Sequence, residues 1–252
     1  MLIMRTIKMR CTAFLALLAV LIPAFPAGAQ ILLDFENGIV ASGYNDVRIP
    51  GDGGTTFSLS DDLKSDPVYF YRFRLGYLLE RHSLSLLIAP LRVESEGQVD
   101  REVRFGDTVF PADTDLKSEY RFDSYRATYR YDFFVGESLR IGAGLTGKIR
   151  DASISLEGDG RREEKKNTGF VPLINFSLQW LFVRSFSLLV DGDALFSPYG
   201  RAEDILFALQ YHHSRRLAVR LGYRMLEGGA DNDEVYTFAL FHYAVFGITL
   251  LL

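Results

Sequence analysis

The sequence predicts an all-β protein, an antiparallel transmembrane β-barrel of about ten strands, with eight or twelve strands as the alternatives. Segments of about ten residues alternate apolar and polar side chains along most of the chain, as strands do when one face meets lipid and the other a polar lumen. Long polar connections alternate with very short turns. Outside residues 1–29 and the last strand, no apolar run is long enough to cross a bilayer as a helix.

The N-terminal segment, residues 1–29, has the features of a secretory signal peptide. It starts with three basic residues, continues with the apolar run 11–22, and ends at the small-residue site 27–29 behind two prolines. We therefore expect cleavage there and a single mature barrel domain of residues 30–252. The only cysteine, Cys11, lies in the segment to be removed, so the mature chain has no disulfide or thiol chemistry.

The charge of the mature chain argues against a nucleic-acid partner. Removing residues 1–29 takes away three of the 28 basic residues and none of the 32 acidic ones, which leaves a net charge of −7. Nucleic-acid binding depends on a basic surface that neutralises phosphates. The mature 223 of 252 residues are enough for one domain.

The strands can be placed by their alternation. Residues 68–79 are the clearest case, with Tyr69, Tyr71 and Phe73 on one face and Arg72 and Arg74 on the other. In the third strand we expect a bulge at its proline, because proline cannot donate to a strand ladder. The ten predicted strands span 31–42, 68–79, 83–94, 122–134, 139–155, 168–182, 187–196, 204–213, 217–226 and 235–252.

The connections between these strands are alternately long and short. An even strand number with this asymmetry places both termini on the short-turn side, which is periplasmic in membrane barrels. The connection 95–118 contains Val103, Phe105 and Val109 at alternate positions, which predicts a small hairpin standing clear of the membrane. The charged run 157–166 is predicted to be a solvated loop. The long connections are 43–65, 95–118, 157–166, 197–203 and 227–234, and the short ones lie near 80–82, 135–137, 184 and 214–215.

The faces of the strands distinguish a barrel in lipid from a soluble β-sandwich, which is the alternative fold. In a sandwich the apolar faces would form the core and the arginines would point to water. The apolar faces, however, carry aromatic side chains close to the short turns, as at a membrane interface. These residues are Tyr77, Tyr131, Phe133, Trp180 and Phe182.

The last strand, 235–252, is uncharged and rich in aromatic and β-branched residues. Within it, Gly247 is followed at the third and fifth positions by Leu250 and Leu252. This spacing resembles the assembly signal of bacterial outer-membrane β-barrel proteins, although the usual last residue of that signal is aromatic. The resemblance implies an outer-membrane barrel with periplasmic termini. It also implies contact with outer-membrane lipid, lipopolysaccharide and the barrel-assembly machinery.

The predicted inner faces carry many more basic than acidic side chains. The unmatched positive charge favours a narrow anion-conducting, porin-like pore or a site for an anionic small molecule. The alternative is an ionic plug, since ten strands enclose little more than side-chain volume. The acidic partners predicted on these faces are Asp132, Asp191 and Asp193. The predicted basic cluster comprises Arg72, Arg74, Arg126, Arg130, Arg140, Lys148, Arg150, Arg220 and Arg224.

Two sequence patterns invite comparison with barrel enzymes. The pair Asp191 and Asp193 resembles the carboxylates of outer-membrane aspartate/histidine proteases, but His212 falls near the opposite end of the barrel. The triplet 212–214 faintly resembles the His-x-Ser arrangement of lipid A deacylases, yet it lies at a periplasmic turn. His242, on the predicted lipid face, has no role that the sequence reveals.

The sequence therefore predicts a non-enzymatic barrel with a basic, largely plugged lumen, serving a structural, adhesive or ligand-binding role at the cell surface. An anion-conducting pore and a lipid-modifying barrel enzyme are the alternatives. We expect no catalytic residue, metal or cofactor: the acidic stretch 231–234 lacks the spacing of a calcium loop.

Overall fold

The structure, a computed structural model, describes residues 28–197 and 200–252. The chain there forms fourteen strands and contains no helix that could cross a membrane. The strands are β1 (Ala29–Arg48), β2 (Phe57–Ser58), β3 (Val68–Leu79), β4 (His82–Ala89), β5 (Arg92–Gln98), β6 (Val103–Phe105), β7 (Thr108–Phe110), β8 (Asp115–Val135), β9 (Leu139–Gly158), β10 (Arg161–Val183), β11 (Phe186–Ser197), β12 (Gly200–His212), β13 (Leu217–Asp231) and β14 (Tyr236–Leu251).

A closed antiparallel barrel of ten strands contains most of these segments. Strands β4 and β5 pair with the same neighbour, β8, and form one barrel strand that Pro90 and Leu91 interrupt. Strand β2 pairs only with β1, and β6 and β7 form a separate hairpin. The predicted fold class and strand number are confirmed. The pairing is interrupted at the proline, but the predicted bulge is absent, because Ala89 lies opposite Ser124 and Arg92 opposite Arg121 with no extra residue on either strand.

The closing strand is β14, as its position in the sequence predicts. It pairs with β13 on one side and with β1 on the other, from Leu32 opposite Leu251 to Arg48 opposite Tyr236. The terminal backbone also closes, since Ile31 and Leu252 exchange two hydrogen bonds of 3.0 and 2.9 Å. Closure leaves no unpaired edge at this seam, which is the condition for strands to lie in lipid.

Alternate residues of each strand point into and out of the barrel. On β3, Phe70 and Arg72 are buried inside, whereas Tyr69 is 62% exposed on the outer surface. Outward-facing apolar side chains of this kind form a band around the barrel, for example Leu84, Leu145, Ile174 and Leu221. An exposed apolar band is what a barrel presents to lipid, and it excludes the soluble sandwich.

Several strands extend beyond the apolar band and are longer than predicted. The charged segment predicted as the loop 157–166 is instead paired strand, with the turn between β9 and β10 reduced to Asp159 and Gly160. That prediction was wrong because the extension has polar side chains on both faces. The predicted loops 197–203 and 227–234 are also too long, since β11 reaches Ser197, β12 starts at Gly200 and β13 reaches Asp231.

The predicted hairpin is present as β6–β7, and its apolar side chains are buried in the barrel end that carries the long connections. Val103, Phe105 and Phe110 are fully buried in one apolar cluster with Phe57 and Leu63 of the β1–β3 connection. Hydrogen bonds from Thr55 to Arg104 (2.9 Å) and from Gly106 to Ile49 (2.8 Å) hold the two segments together. An apolar core therefore fills one side of the end of the barrel that carries the long connections.

The wall has an opening between β10 and β11. Their pairing ends at Ile174 opposite Ala194, although β10 continues upward as a partner of β9 and β11 continues as a partner of β12. Residues 161–173 and 195–197 therefore have no strand partner across this gap in the described chain. Pro172 fits such an edge, since proline is tolerated where a strand lacks a neighbour.

We predict that deleting Leu250–Leu252 abolishes assembly into the membrane but not export. The deletion removes the last two residue pairs between β14 and β1, the hydrogen bonds between Ile31 and Leu252, and the two leucines of the predicted assembly signal. Membrane fractionation and the heat-dependent shift of the folded band on gels measure this. A Leu252→Phe variant, which keeps a bulky end, should assemble, and a truncated chain with a normal folded band would refute the prediction.

We also predict that Phe105→Ala loosens the buried hairpin without unfolding the barrel. Losing a fully buried ring costs about 3–5 kcal/mol, and this ring packs edge-on against Phe57 at 6.3 Å. Trypsin should then cut at Arg101 or Arg104 in assembled protein. Phe133→Ala, which removes a ring that is 54% exposed, is the control, and equal trypsin resistance of both variants would count against the buried core.

Candidate functional site

A large cavity lies inside the long-connection end of the barrel, beside the apolar core. Its volume is about 730 Å³, and strands β8–β14 contribute most of its wall. Ile49 of the β1–β3 connection and Val235 of the β13–β14 turn also line it, and the backbone N–H of Asp52 donates to Asp233 at 3.2 Å. At the cavity rim, Lys165 of β10 bridges to Glu234 at 3.4 Å.

Below the cavity, a network of buried ion pairs crosses the lumen. Asp204 of β12 accepts from Arg72 of β3 at 3.0 Å and from Arg126 of β8 at 2.5 Å. Arg224 of β13 also donates to it. These guanidinium groups come from well-separated strands, so a single carboxylate ties several parts of the wall together.

Glu36 of β1 is the second shared carboxylate. It accepts from Arg220 and Arg224 at 2.8 Å each and lies 3.6 Å from Arg72. Arg72 and Arg224 thus connect Glu36 to Asp204. Arg220 also makes a two-pronged contact with Asp34 at 2.7 and 2.8 Å, the geometry in which guanidinium–carboxylate pairs are strongest.

The remaining carboxylates of the network were predicted from the sequence. Asp191 lies 3.3 Å from Arg74 and 2.9 Å from Arg130. Asp193 accepts from Arg126 at 2.7 Å and from Thr146 and Asn175 at 2.6 and 2.9 Å. Asp132 lies 3.4 Å from Arg130 and 3.5 Å from Arg140.

Glycine on the inner face makes room for this network. A Cβ at position 247 would lie 2.6 Å from both Cζ and Nε of Arg220, closer than real Cβ contacts come. The predicted assembly glycine therefore also lets the Arg220 side chain lie flat against β14. The structure places Leu252 on the outer surface, 61% exposed, at the free end of the barrel.

Two of the nine predicted basic residues have no carboxylate partner among the described residues: Lys148 and Arg150. Lys148 is only 3% exposed, and its Nζ lies 4.6 Å from the centre of the Phe122 ring. Arg150 donates to the side-chain oxygen of Asn167, and its Nε has no hydrogen-bond partner. Both residues line the cavity, so the unmatched positive charge lies there.

Asp34, Glu36 and Asp204 were missed in the sequence. The signal for the first two was present, because Leu33 and Phe35 on the outer face of β1 place residues 34 and 36 on the inner face. Asp204, 2% exposed, is the first residue of the predicted strand 204–213, and its inward position follows from the longer strand β12, which starts at Gly200.

The enzyme comparisons find no support in the geometry. Asp191 pairs across the strands with Leu206, and His212 is six residues further along, roughly 20 Å away at the rise of a strand. His212 instead contacts Ser187 at 2.9 Å, with no carboxylate recorded beside it in the described chain. Among all the described residues, no group of three or more His, Cys, Asp or Glu side chains is placed so that it could bind a metal ion.

His242 has a partner on the outer surface. Its Nδ1 lies 2.6 Å from the hydroxyl group of Tyr223, and the two rings stack with centroids 5.9 Å apart. The imidazole is thus hydrogen-bonded beside an aromatic ring, which explains how a histidine is accommodated on an outward-facing position.

Tyr120 lines the cavity above the apolar band, where its outward-facing neighbours Glu119 and Arg121 are charged. Burial raises the pKa of Tyr120 to about 12, against the opposing effect of Arg150. Its hydroxyl group is therefore a hydrogen-bond donor in the cavity at neutral pH.

We predict that Asp204→Asn strongly destabilises the barrel. The amide keeps the shape but loses the charge that three buried guanidinium groups share, and breaking such a pairing costs about 3–5 kcal/mol. The midpoint of heat unfolding, read from the folded band on gels, should fall clearly. Glu96→Gln, which breaks an exposed pair with Lys117, should not change it, and equal midpoints for the two variants would contradict a structural role for the network.

Comparisons with known proteins agree with the fold. No protein-family model and no curated protein sequence matches the chain. The outer membrane protease OmpT of Escherichia coli is similar in structure, with a TM-score of 0.56, 10% identity, and coverage of 90% of this chain and 98% of that one. The transport unit of the Escherichia coli autotransporter AIDA-I has a TM-score of 0.42 at 8% identity, covering 91% of this chain and 92% of its own. The attachment invasion locus protein Ail of Yersinia pestis has a TM-score of 0.38 at 9% identity, with coverage of 88% of this chain and 99% of that one. The similarity to OmpT and the closed ten-stranded sheet show that the chain has the fold of bacterial outer-membrane β-barrel proteins.

Proposed function

We propose that this protein is a non-enzymatic, ligand-binding barrel of the bacterial outer membrane that does not conduct ions. One observation carries the proposal: an open cavity of about 730 Å³ lies directly above a lumen that paired arginines and carboxylates cross. A cavity of this size is typical of small-molecule sites. The binding site would face the cell surface, and the ionic network would close the periplasmic half.

The ion pairs favour a plug over a pore. Seven of the nine predicted basic side chains contact a carboxylate within 4.0 Å, and Asp204 and Glu36 each contact three of them. An anion crossing the lumen would have to displace these contacts in a barrel whose interior holds little more than side chains. Conduction would therefore need a rearrangement of the network.

The lining of the cavity favours binding over catalysis. Among the described lining residues there is no histidine or cysteine. Hydroxyl-group nucleophiles usually need an adjacent base, and Ser153, which lines the cavity, instead accepts from Arg121 at 3.2 Å. Lipid modification is the second alternative, and the described lining residues of the cavity contain no nucleophile with an adjacent histidine to support it.

The location is part of the same proposal. The outward apolar band, the closed sheet and the short turns beside both ends of the chain fit an outer-membrane barrel with periplasmic termini. Export would depend on the predicted signal peptide, of which residues 1–27 lie outside the described residues. Lipid, lipopolysaccharide and the assembly machinery would be its partners in the membrane.

We predict that the protein inserted in planar bilayers gives no unitary conductance in potassium chloride. As a positive control, the triple variant Arg72→Ser, Arg126→Ser and Arg224→Ser removes the side chains that share Asp204 and should produce steps. The folded band on gels confirms that each protein is assembled. Stable anion-selective steps from the unaltered protein would favour the pore and overturn the plug.

A further inference from the structure

Lys148 is a buried basic side chain that lines the cavity and has no counter-ion among the described residues. It is 3% exposed, and within the described chain no carboxylate lies within 4.0 Å of its Nζ. Burying an unpaired charge is unfavourable, and the Phe122 ring compensates only in part. Asp204 is not available as its counter-ion, because that carboxylate already accepts hydrogen bonds from Arg72, Arg126 and Arg224. A negatively charged group bound at this point would therefore pair with Lys148.

Further donors lie around the same position. Arg150 follows Lys148 on the inner face of β9, and its Nε has no partner. Asn167 accepts from Arg150 through its side-chain oxygen, so its amide N–H groups can still donate to a ligand. Together with the Tyr120 hydroxyl group, these side chains supply two positive charges and neutral donors, which suit a carboxylate or phosphate group.

Part of the remaining lining is apolar, and of its other charged residues Lys165 pairs with Glu234 and Arg201 with Glu227. Phe241, Ala239 and Leu226 form part of its wall and are 2%, 4% and 9% exposed, and Ile154 lies on the β9 side. A small inorganic anion would leave this surface in contact with water. A ligand with both an anionic group and a hydrocarbon part would cover it.

The opening between β10 and β11 lies beside Lys148. Lys148 pairs across the strands with Val171, which belongs to the edge of β10 that has no partner on the β11 side. Val171, Pro172 and Leu195 line the cavity at this opening. Outside it, the rings of Phe170 and Phe196 are 69% and 71% exposed, so the opening lies at the level of the apolar band.

From these four observations we infer that the cavity binds a single-chain anionic amphiphile. Its carboxylate or phosphate group would contact Lys148 and Arg150, and its hydrocarbon chain would pass between β10 and β11 towards the lipid. This inference rests on the proposed function and names the chemistry of its ligand. We therefore expect the binding affinity to depend on the charge of the head group, which contacts Lys148 and Arg150. We also expect it to depend on the length of the hydrocarbon chain, which lies in the opening.

The test uses the full barrel in phosphatidylcholine vesicles and the fluorescent probe 11-(dansylamino)undecanoate, with its methyl ester as the neutral counterpart. The unaltered protein should bind the carboxylate more tightly than the ester. Lys148→Met should weaken carboxylate binding at least tenfold and leave ester binding unchanged. Lys148→Arg should retain the preference, and Lys117→Met, on the exposed outer face of β8, is the matched control.

Competition by a series of saturated fatty acids and alkyl phosphates tests the route of the chain and the type of head group. In the unaltered protein the affinity should rise about fourfold per added methylene, the increment of hydrocarbon burial. Val171→Trp should flatten this rise by filling the opening while leaving the shortest members unaffected. Val183→Trp, at the other end of β10, should have no such effect.

The outcomes separate the two proposals. If the acid and the ester bind equally well and Lys148→Met changes neither affinity, the ligand does not need an anionic head group. The proposal of a ligand-binding cavity would then remain. An unchanged length series in Val171→Trp would overturn the route between β10 and β11. No binding of either probe would overturn the inference, whereas stable conductance steps from the unaltered protein would overturn the proposed function.

Discussion

The arrangement of this barrel depends on the sharing of buried carboxylates. Ten strands enclose a lumen too narrow for bulk water, so charged side chains there must find partners in a medium that screens poorly. Asp204 and Glu36 meet this need by each contacting three guanidinium groups. Because Arg72 and Arg224 contact both carboxylates, the network joins strands that lie on different sides of the wall, and removing either carboxylate takes a partner from three guanidinium groups at once.

The sequence predicted the strands inside the membrane well and the parts outside it poorly. Lipid imposes strict alternation, which is why 68–79 was predicted with the bounds that β3 has. Above the apolar band both faces of the strands are polar, and residues 161–166 read as a loop although they pair with β9. The buried hairpin was recognised from Val103 and Phe105, but its burial depends on Phe57 and Leu63, which are distant in sequence.

The same limit explains what was predicted about the lumen. Strand parity indicated which arginines point inward, since parity is a local property. Pairing is not local: Arg126 and Asp204 are 78 residues apart, and Arg220 and Asp34 are 186 apart. An excess of positive charge was therefore expected throughout the lumen, whereas the structure concentrates it at Lys148 and Arg150.

The position of that excess charge distinguishes two uses of an inward-facing cation. A cation that only stabilises the barrel gains most from a carboxylate beside it, as the lower arginines show. Among the described residues Lys148 has no such partner, although it is as buried as the lower arginines. It also lies next to the part of the wall where β10 and β11 do not pair. Leaving a charge unpaired and a sheet edge open both cost stability. Their occurrence together, beside a large cavity, is most simply explained by a ligand that compensates for both.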